Sequence, residues 1–324
     1  MPSRHRALLI LCSLAILAVA SFGVALMAGS LQVPLADVLA ALRGEDGAGS
    51  VVLQLRLPRA LAAFACGGLL ALAGALMQVL LRNPLADPYV LGISGGAGAG
   101  AMFGLLIGLP TLGVDGLAFA GALAAMFVVF GIAHGDGSWT QTRLLLTGVI
   151  VAAGCSALVS LMLSIADENR LRGMLFWLMG DLGQDNPWWP AMLALLCALT
   201  LTMPFARELN LLSRGLMQAQ ALGVAVGRLR YAIYLLASLA TAASVTTAGS
   251  IGFVGLVVPH LVRLATGNDQ RLLLPASVLA GGSLLVLADT AARTLIAPQQ
   301  LPVGVLTALI GVPIFLILLS RQAK

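Results

Sequence analysis

The segment Arg82-Asn83-Pro84-Leu85-Ala86-Asp87-Pro88-Tyr89-Val90-Leu91-Gly92-Ile93-Ser94-Gly95-Gly96-Ala97-Gly98-Ala99-Gly100-Ala101 joins two long apolar runs through a short polar hinge and opens the second with glycines. Two prolines with an Asn and an Asp, set between runs of about bilayer length, place ordered backbone at a membrane face, not in a soluble turn. The small residues that follow let neighbouring helices approach closely.

The flanks carry the same message. With 60% hydrophobic and 10% charged residues in a chain of 324, and a mean hydropathy of +1.00, far more apolar surface is present than one soluble core could bury. Uncharged runs of membrane-spanning length cover 7–34, 60–81, 88–114, 144–166, 186–206, 231–259 and 294–320, with shorter ones at 117–133 and 272–288. A run of about 20 such residues crosses the hydrocarbon as a helix, and the lack of polar alternation excludes an outer-membrane barrel. The expected fold class is an all-α polytopic membrane protein. Arg4-His5-Arg6 before the first run also fits a secretory signal. Signal h-regions stop at about 15 residues, however; this run is longer and ends in no clear A-x-A site, so a retained first span is expected.

Charge sets the topology. With Arg4 and Arg6 in the cytoplasm and each run crossing once, the Arg82 hinge, the loop before Arg143, the segment 207–230 with its four arginines, the loop 263–271 and the tail with Arg321 and Lys324 share that side. They hold 12 of the 18 Lys and Arg, as the positive-inside rule expects. The opposite side holds Arg43, Arg56, Arg59, Arg170, Arg172 and Arg293 with most acids, among them Asp37, Glu45, Asp46, Asp167, Glu168, Asp181 and Asp185. Thr246-Thr247-Ala248-Gly249-Ser250-Ile251-Gly252 interrupts the run after Arg230, and the arginines stay on one side only if that run crosses twice. About ten spans with both termini cytoplasmic follow, the eighth short, with Pro275, Pro302 and Pro313 as kinks or helix starts. Within the outer segments, 34–42 and 170–183 read as short surface helices, the second ending at Gly180. The segment 207–230 is the expected partner-docking surface. Basic residues scattered through short loops answer to topology and not to nucleic acid.

Chemical machinery is sparse. A phosphate-binding P-loop needs a lysine, and the sole lysine is Lys324, so nucleotide energy has to come from another subunit. No paired carboxylates lie inside a run; Asp289 with Arg293 at i+4 reads as an ion pair near a helix end in preference to an ion relay. Of His5, His134 and His260, the last sits beside Pro259 as a hydrogen-bonded structural residue. Cys12, Cys66, Cys155 and Cys197 match no metal or redox spacing and read as packing residues. Met162, Met174 and Met179 offer either a soft lining for a bulky ligand or ordinary packing. No metal or resident cofactor is expected. An intramembrane enzyme and an ion-coupled secondary transporter are both disfavoured.

Several motifs in order then identify a resemblance: Arg56-Leu57-Pro58-Arg59, Gly74-Ala75-Leu76-Met77-Gln78, the hinge itself, Phe176-Trp177-Leu178-Met179-Gly180, Ala221-Leu222-Gly223-Val224, Gly252-Phe253-Val254-Gly255-Leu256-Val257-Val258-Pro259-His260-Leu261-Val262-Arg263 and Leu301-Pro302-Val303-Gly304-Val305. Over almost its whole length the chain resembles the FecCD-type permeases, membrane subunits of bacterial ATP-binding-cassette importers for iron-siderophores, haem and cobalamin. The resemblance implies a type II importer permease fold over residues 1–324 as one domain, with 207–230 as the cytoplasmic coupling segment and 166–186 as a periplasmic helix region. It implies a homodimer in the inner membrane, surrounded by lipid, with two cytoplasmic ATPase subunits below and a periplasmic binding protein above.

Residue by residue, it places Asn83, Leu85, Gln141 and Thr142 near a cytoplasmic gate. Arg56, Arg59 and Arg293 fall where docking arginines meet the binding protein, and Glu208 to Gly223, including Leu216, Gln220, Leu222 and Gly223, where the ATPase couples. The implied cargo is an iron chelate, either ferric siderophore or haem, with cobalamin as the alternative.

Overall fold

The computed structural model describes residues 4–29, 31–44, 49, 51–133, 140–183 and 187–322. His134, Glu45, Asp46, Asp185 and Lys324 lie outside them. Every regular element among the described residues is helical: α1 (Arg4–Met27), α2 (Leu35–Leu42), α3 (Leu57–Leu80), α4 (Ile93–Leu106), α5 (Thr111–Ala133), α6 (Gln141–Ile165), α7 (Glu168–Met179), α8 (Trp189–Thr202), α9 (Ala206–Arg214), α10 (Leu216–Ala221), α11 (Val226–Ala248), α12 (Val254–Thr266), α13 (Gln270–Thr294) and α14 (Val303–Gln322). Seven helical stretches, His5–Met27, Val51–Leu80, Thr111–Ala133, Gln141–Ile165, Trp189–Arg214, Val226–Ala248 and Gln270–Thr294, are long and apolar enough to cross a membrane. Three shorter apolar helices are Ile93–Leu106, Val254–Thr266 and Val303–Leu318.

Helix α3 runs through the middle of the bundle, flanked by α8, α11, α12 and α13. Its Ala- and Gly-rich sequence explains the position, because hydrocarbon gives helices no hydrophobic reason to associate and close backbone approach must supply the contact energy. A methyl group at Gly67 would run into the Gly281 carbonyl of α13, and one at Gly74 into the Gly255 carbonyl of α12. Buried polar groups add ties: Ser244 Oγ of α11 donates to the Cys66 carbonyl at 3.2 Å, and Gln78 Nε2 to the Leu256 carbonyl at 3.2 Å. The glycines that open α4 work the same way. Gly96 and Gly100 lie against the backbone of Gly121 and Leu117 in α5, with no room for a side chain.

Boundaries differ from the sequence reading where charge or glycine misled it. The expected single span 88–114 is a 3-10 turn, Pro88–Leu91, followed by α4, and α5 then starts at Thr111 and takes in Asp115. The expected run 272–288 is a 25-residue helix, α13, that carries Asp289 and Arg293 inside it because each neutralises the other. The run 294–320 begins as a turn, and α14 starts only at Val303, after Pro298 and Pro302. The interruption before α12 falls where Thr246 to Gly252 indicated: α11 ends at Ala248, Gly249 has φ +66°, and Phe253 holds φ +69° as the cap of α12.

Candidate functional site

The hinge is built from local turn chemistry. Helix α3 closes with the Asn83 amide donating to the Gln78 carbonyl at 3.2 Å, while Arg82 takes the left-handed position that glycine normally fills, at φ +46°. Asn83 Oδ1 then accepts from the Leu85 amide at 2.9 Å, and Asp87 Oδ1 from the Tyr89 amide at 2.7 Å. Burial pushes the Asp87 carboxyl up to about 6, against the pull of the Tyr89 amide. Gly92, at φ +74°, starts α4.

Three anchors fix this loop to the bundle. Gln141 Nε2 at the start of α6 donates to the Leu80 carbonyl at 3.1 Å and its Oε1 accepts from Arg82 at 3.4 Å, while farther along α6 a methyl at Gly148 would strike the Val90 carbonyl. The Ile251 amide donates to Tyr89 Oη at 3.0 Å, and Ser94 and Ser250 hydroxyls meet at 3.0 Å, joining the hinge to the break between α11 and α12. His260 hydrogen-bonds the Pro84 backbone. Of the expected gate residues, Gln141 is brought against the hinge, Leu85 is half-buried, and Asn83 and Thr142 are exposed. Tyr89, Ser94 and Ser250 were missed; only the hydroxyls within two small-residue stretches hinted at them.

At the opposite end the expected docking arginines sit below the surface. Arg59 is 7% exposed and grips Asp289 with Nη2 at 2.9 Å and Nε at 3.1 Å, touching Gln300 at 3.3 Å and Asp181 at 3.6 Å. Arg293 Nε holds the second oxygen of Asp289 at 3.1 Å. Arg56, 5% exposed, donates to the carbonyls of Leu26 at 2.6 Å, Met27 at 3.0 Å and Leu31, and so caps the otherwise orphaned C-terminal carbonyls of α1. Burial raises the Asp181 carboxyl, with Arg59 opposing. The guanidiniums expected at an open docking face are therefore engaged inside the chain, beneath a cavity of about 300 Å3 lined by Arg56, Arg59, Arg293, Leu31, Pro298 and Gln300. Asp289, read from sequence as paired with Arg293 alone, is 1% exposed and holds two arginines.

The methionines separate. Met174 of α7 is fully buried among Ala101, Met102, Val114 and Ala118 of α4 and α5, with half-buried Met162 of α6 packed at the edge of that cluster. Met179 is 43% exposed and lines an apolar cavity of about 530 Å3 with Leu178, Ser250, Gly304, Leu309 and Pro313. In the segment 207–230, Gly215 at φ +137° breaks α9 from α10, and Gly223 at φ +82° ends it. Leu216 is half-buried, whereas Gln220, Gly223, Met217 at 85% and Leu222 at 66% stand in the open.

The profile of the FecCD transport family matches residues 15–321. The chain belongs to the FecCD transport family. It is 42% identical to the hemin transport system permease protein HmuU of Yersinia pestis, over 86% of each chain. It is 39% identical to the vitamin B12 import system permease protein BtuC of Salmonella typhi, over 97% of this chain and 95% of that one. A solved structure described as an inward-facing transporter of the metal-chelate ABC type superposes with a TM-score of 0.85 and 32% identity, over 97% of this chain and 99% of that one. PsaBC from Streptococcus pneumoniae, at 19% identity and a TM-score of 0.60, shares the fold. This FecCD chain is thus a multi-pass permease subunit of an ABC importer with the type II permease fold. It is not an enzyme; ATP is hydrolysed on separate subunits, and substrate-binding and ATPase partners come with the family.

Proposed function

We propose that this chain pairs with a second copy in the inner membrane and forms the path for a bulky iron chelate, with haem ahead of a ferric siderophore. The observation that carries the cargo is the 42% identity to a hemin permease over 86% of both chains. Cobalamin is the second reading, favoured by the near full-length match to a vitamin B12 permease. In this reading the ten apolar helices all cross, both termini are cytoplasmic, and the end of the bundle holding Arg6, Arg82, Gln141, Arg214 and Arg263 faces the cytoplasm. The sorting of arginines to that end supports it.

Asn83, Leu85, Gln141 and Thr142 then border the cytoplasmic gate, and the anchored hinge converts movements of α3, α6 and α12 into opening of the path. Leu216, Gln220, Leu222 and Gly223 present the coupling surface to the ATPase. The cavity over Arg56, Arg59 and Arg293 receives the binding protein, and Met179 borders the path. The region 166–186, with α7, is periplasmic. Reconstitution with the cognate ATPase and binding protein tests the reading: vesicle uptake of haem should require ATP and survive dissipation of ion gradients, and uptake of cobalamin in place of haem would favour the second cargo.

A further inference from the structure

Between α5, α8 and α11, apart from the hinge, the arginine cluster and the Met179 cavity, lies a slot of about 400 Å3. One wall is α8 from Pro190 to Leu201, the other α11 from Leu236 to Thr247, and Phe119 of α5 lines the third side. The two walls run antiparallel. Ser213, beyond the end of α8, lines a cavity with Arg82, and Arg230 near the start of α11 lies close enough to Arg82 for their charges to repel, so both of those ends point toward the hinge. Each wall covers about 16 Å at ~1.5 Å per residue, half of a hydrocarbon core about 30 Å thick. The lining is that of hydrocarbon. No charged side chain borders the slot, and the Thr246 and Thr247 hydroxyls donate to the Ala242 and Ala243 carbonyls of their own helix at 2.8 Å and 3.0 Å. Polarity gathers at one end, where the two threonines lie level with Pro190 and next to Trp188 and Trp189, 37% and 58% exposed. Exposed tryptophans at the end of a span mark the level of the lipid headgroups.

We propose that the slot holds one acyl chain of a phospholipid from the leaflet at the end away from the hinge, with the headgroup beside Trp188 and Trp189 and the chain tip at Leu201 and Leu236. The slot is continuous with surface that lipid covers in a multi-pass membrane protein: Leu193, Leu196 and Leu235 beside it are 55%, 54% and 46% exposed. Shape selects the occupant. Spread along about 16 Å, the volume leaves a cross-section on the order of 25 Å2, whereas a helix with its side chains is about 10–12 Å across, so a span of a second copy does not enter and an alkyl chain does. A ligand with charged or amide substituents would leave them without partners between these walls. The lodged chain also has a mechanical consequence. Helix α11 ends at Ala248, next to the break whose Ser250 and Ile251 hold Ser94 and Tyr89, so a chain packed along α11 steadies the helix that carries two anchors of the hinge. The lipid is a structural ligand of the bundle and not its cargo.

The test places full-length permease in nanodiscs of phosphatidylethanolamine and phosphatidylglycerol, doped with phospholipid that carries a diazirine either near the glycerol or at the tip of one acyl chain. After illumination, adducts are mapped by peptide mass spectrometry. In the wild-type chain, adducts on the facing sides of α8 and α11 should exceed those on the exposed face of α1, which meets bulk lipid at Leu9 and Ile16, by about 5-fold, because only a slot surrounds the chain with packing contacts. The glycerol-end probe should mark the Pro190 and Thr247 end, and the tip probe the Leu201 and Leu236 end. Ala194→Phe and Ala243→Leu fill the slot from opposite walls, and each should cut these adducts about 5-fold while leaving those on α1 unchanged. Thermal unfolding in the disc shows which variants are folded; should neither fold, the wild-type adduct pattern decides alone. Adducts on α8 and α11 at the level of α1, or undiminished in folded filled variants, reduce the slot to ordinary lipid contact and overturn the proposal. A disulfide formed through Cys197 between two copies assigns the slot to protein contact and also overturns it.

Discussion

The two ends of the bundle treat arginine in opposite ways. At the end away from the hinge Arg59 and Arg293 close on Asp289, Arg56 caps α1, and each guanidinium finds its partners within the chain. At the hinge end Arg82 finds one long hydrogen bond to Gln141, and Arg263 faces a cavity without a carboxylate. A self-satisfied network braces α3 against α13 and has little reason to rearrange. The hinge-end arginines are less tied within the chain. In the proposed reading, the contrast sets a braced mouth against a gate that is free to move.

Breaking the outer brace should have the largest effect. Asp289→Ala takes the carboxylate from Arg293 and leaves Arg59 with only its longer contacts to Asp181 and Gln300, and should cost about 3–5 kcal/mol of stability, read by denaturant unfolding in detergent. Loss below about 1 kcal/mol would mean that the brace is not structural. Next comes the backbone contact that the hinge leans on: Gly74→Val drives a side chain into the Gly255 carbonyl and should destabilise by about 1–3 kcal/mol, with uptake reduced in parallel. Arg82→Gly should act in the other direction, relieving about 1 kcal/mol of left-handed strain and raising the unfolding temperature slightly, while weakening coupling of ATP hydrolysis to uptake.

The smallest effect is titration of the hinge. The Asp87 carboxyl is raised from 3.8 to about 6 in the folded chain, so the native state takes up a proton that the unfolded chain does not. Stability should therefore rise as pH falls from 7 through 6 toward 5 and be lost again as pH rises. Asp87→Asn should abolish that slope between pH 7 and 5 while keeping the oxygen that accepts from the Tyr89 amide.

Much of this architecture was legible because lipid enforces it. Long runs without charge gave the helices, glycines marked close approaches of α4 to α5, and Thr246 to Gly252 announced the break before α12. Charge inside the bundle defeated the reading. Asp289 and Arg293 cut α13 short in sequence because the pairing of Asp289 with Arg59, 230 residues away, is a property of packing alone. The docking role implied for Arg59 depended on the same invisible partner. Met174 could not be told from a path residue, since burial and lining use the same soft side chain. Arg263 stood in a quoted motif, but its place in a polar cavity beside Gln78 and Gln270 is a matter of packing.

The proposed gate is the hinge moving between two copies of the chain. On a background with the native cysteines replaced, Leu85→Cys should be oxidised across the dimer in vesicles holding the ATPase and binding protein. Cross-linking should abolish ATP-driven chelate uptake, reductant should restore it, and the ATPase should stay bound throughout. Uptake at the wild-type rate after complete cross-linking would contradict the gate.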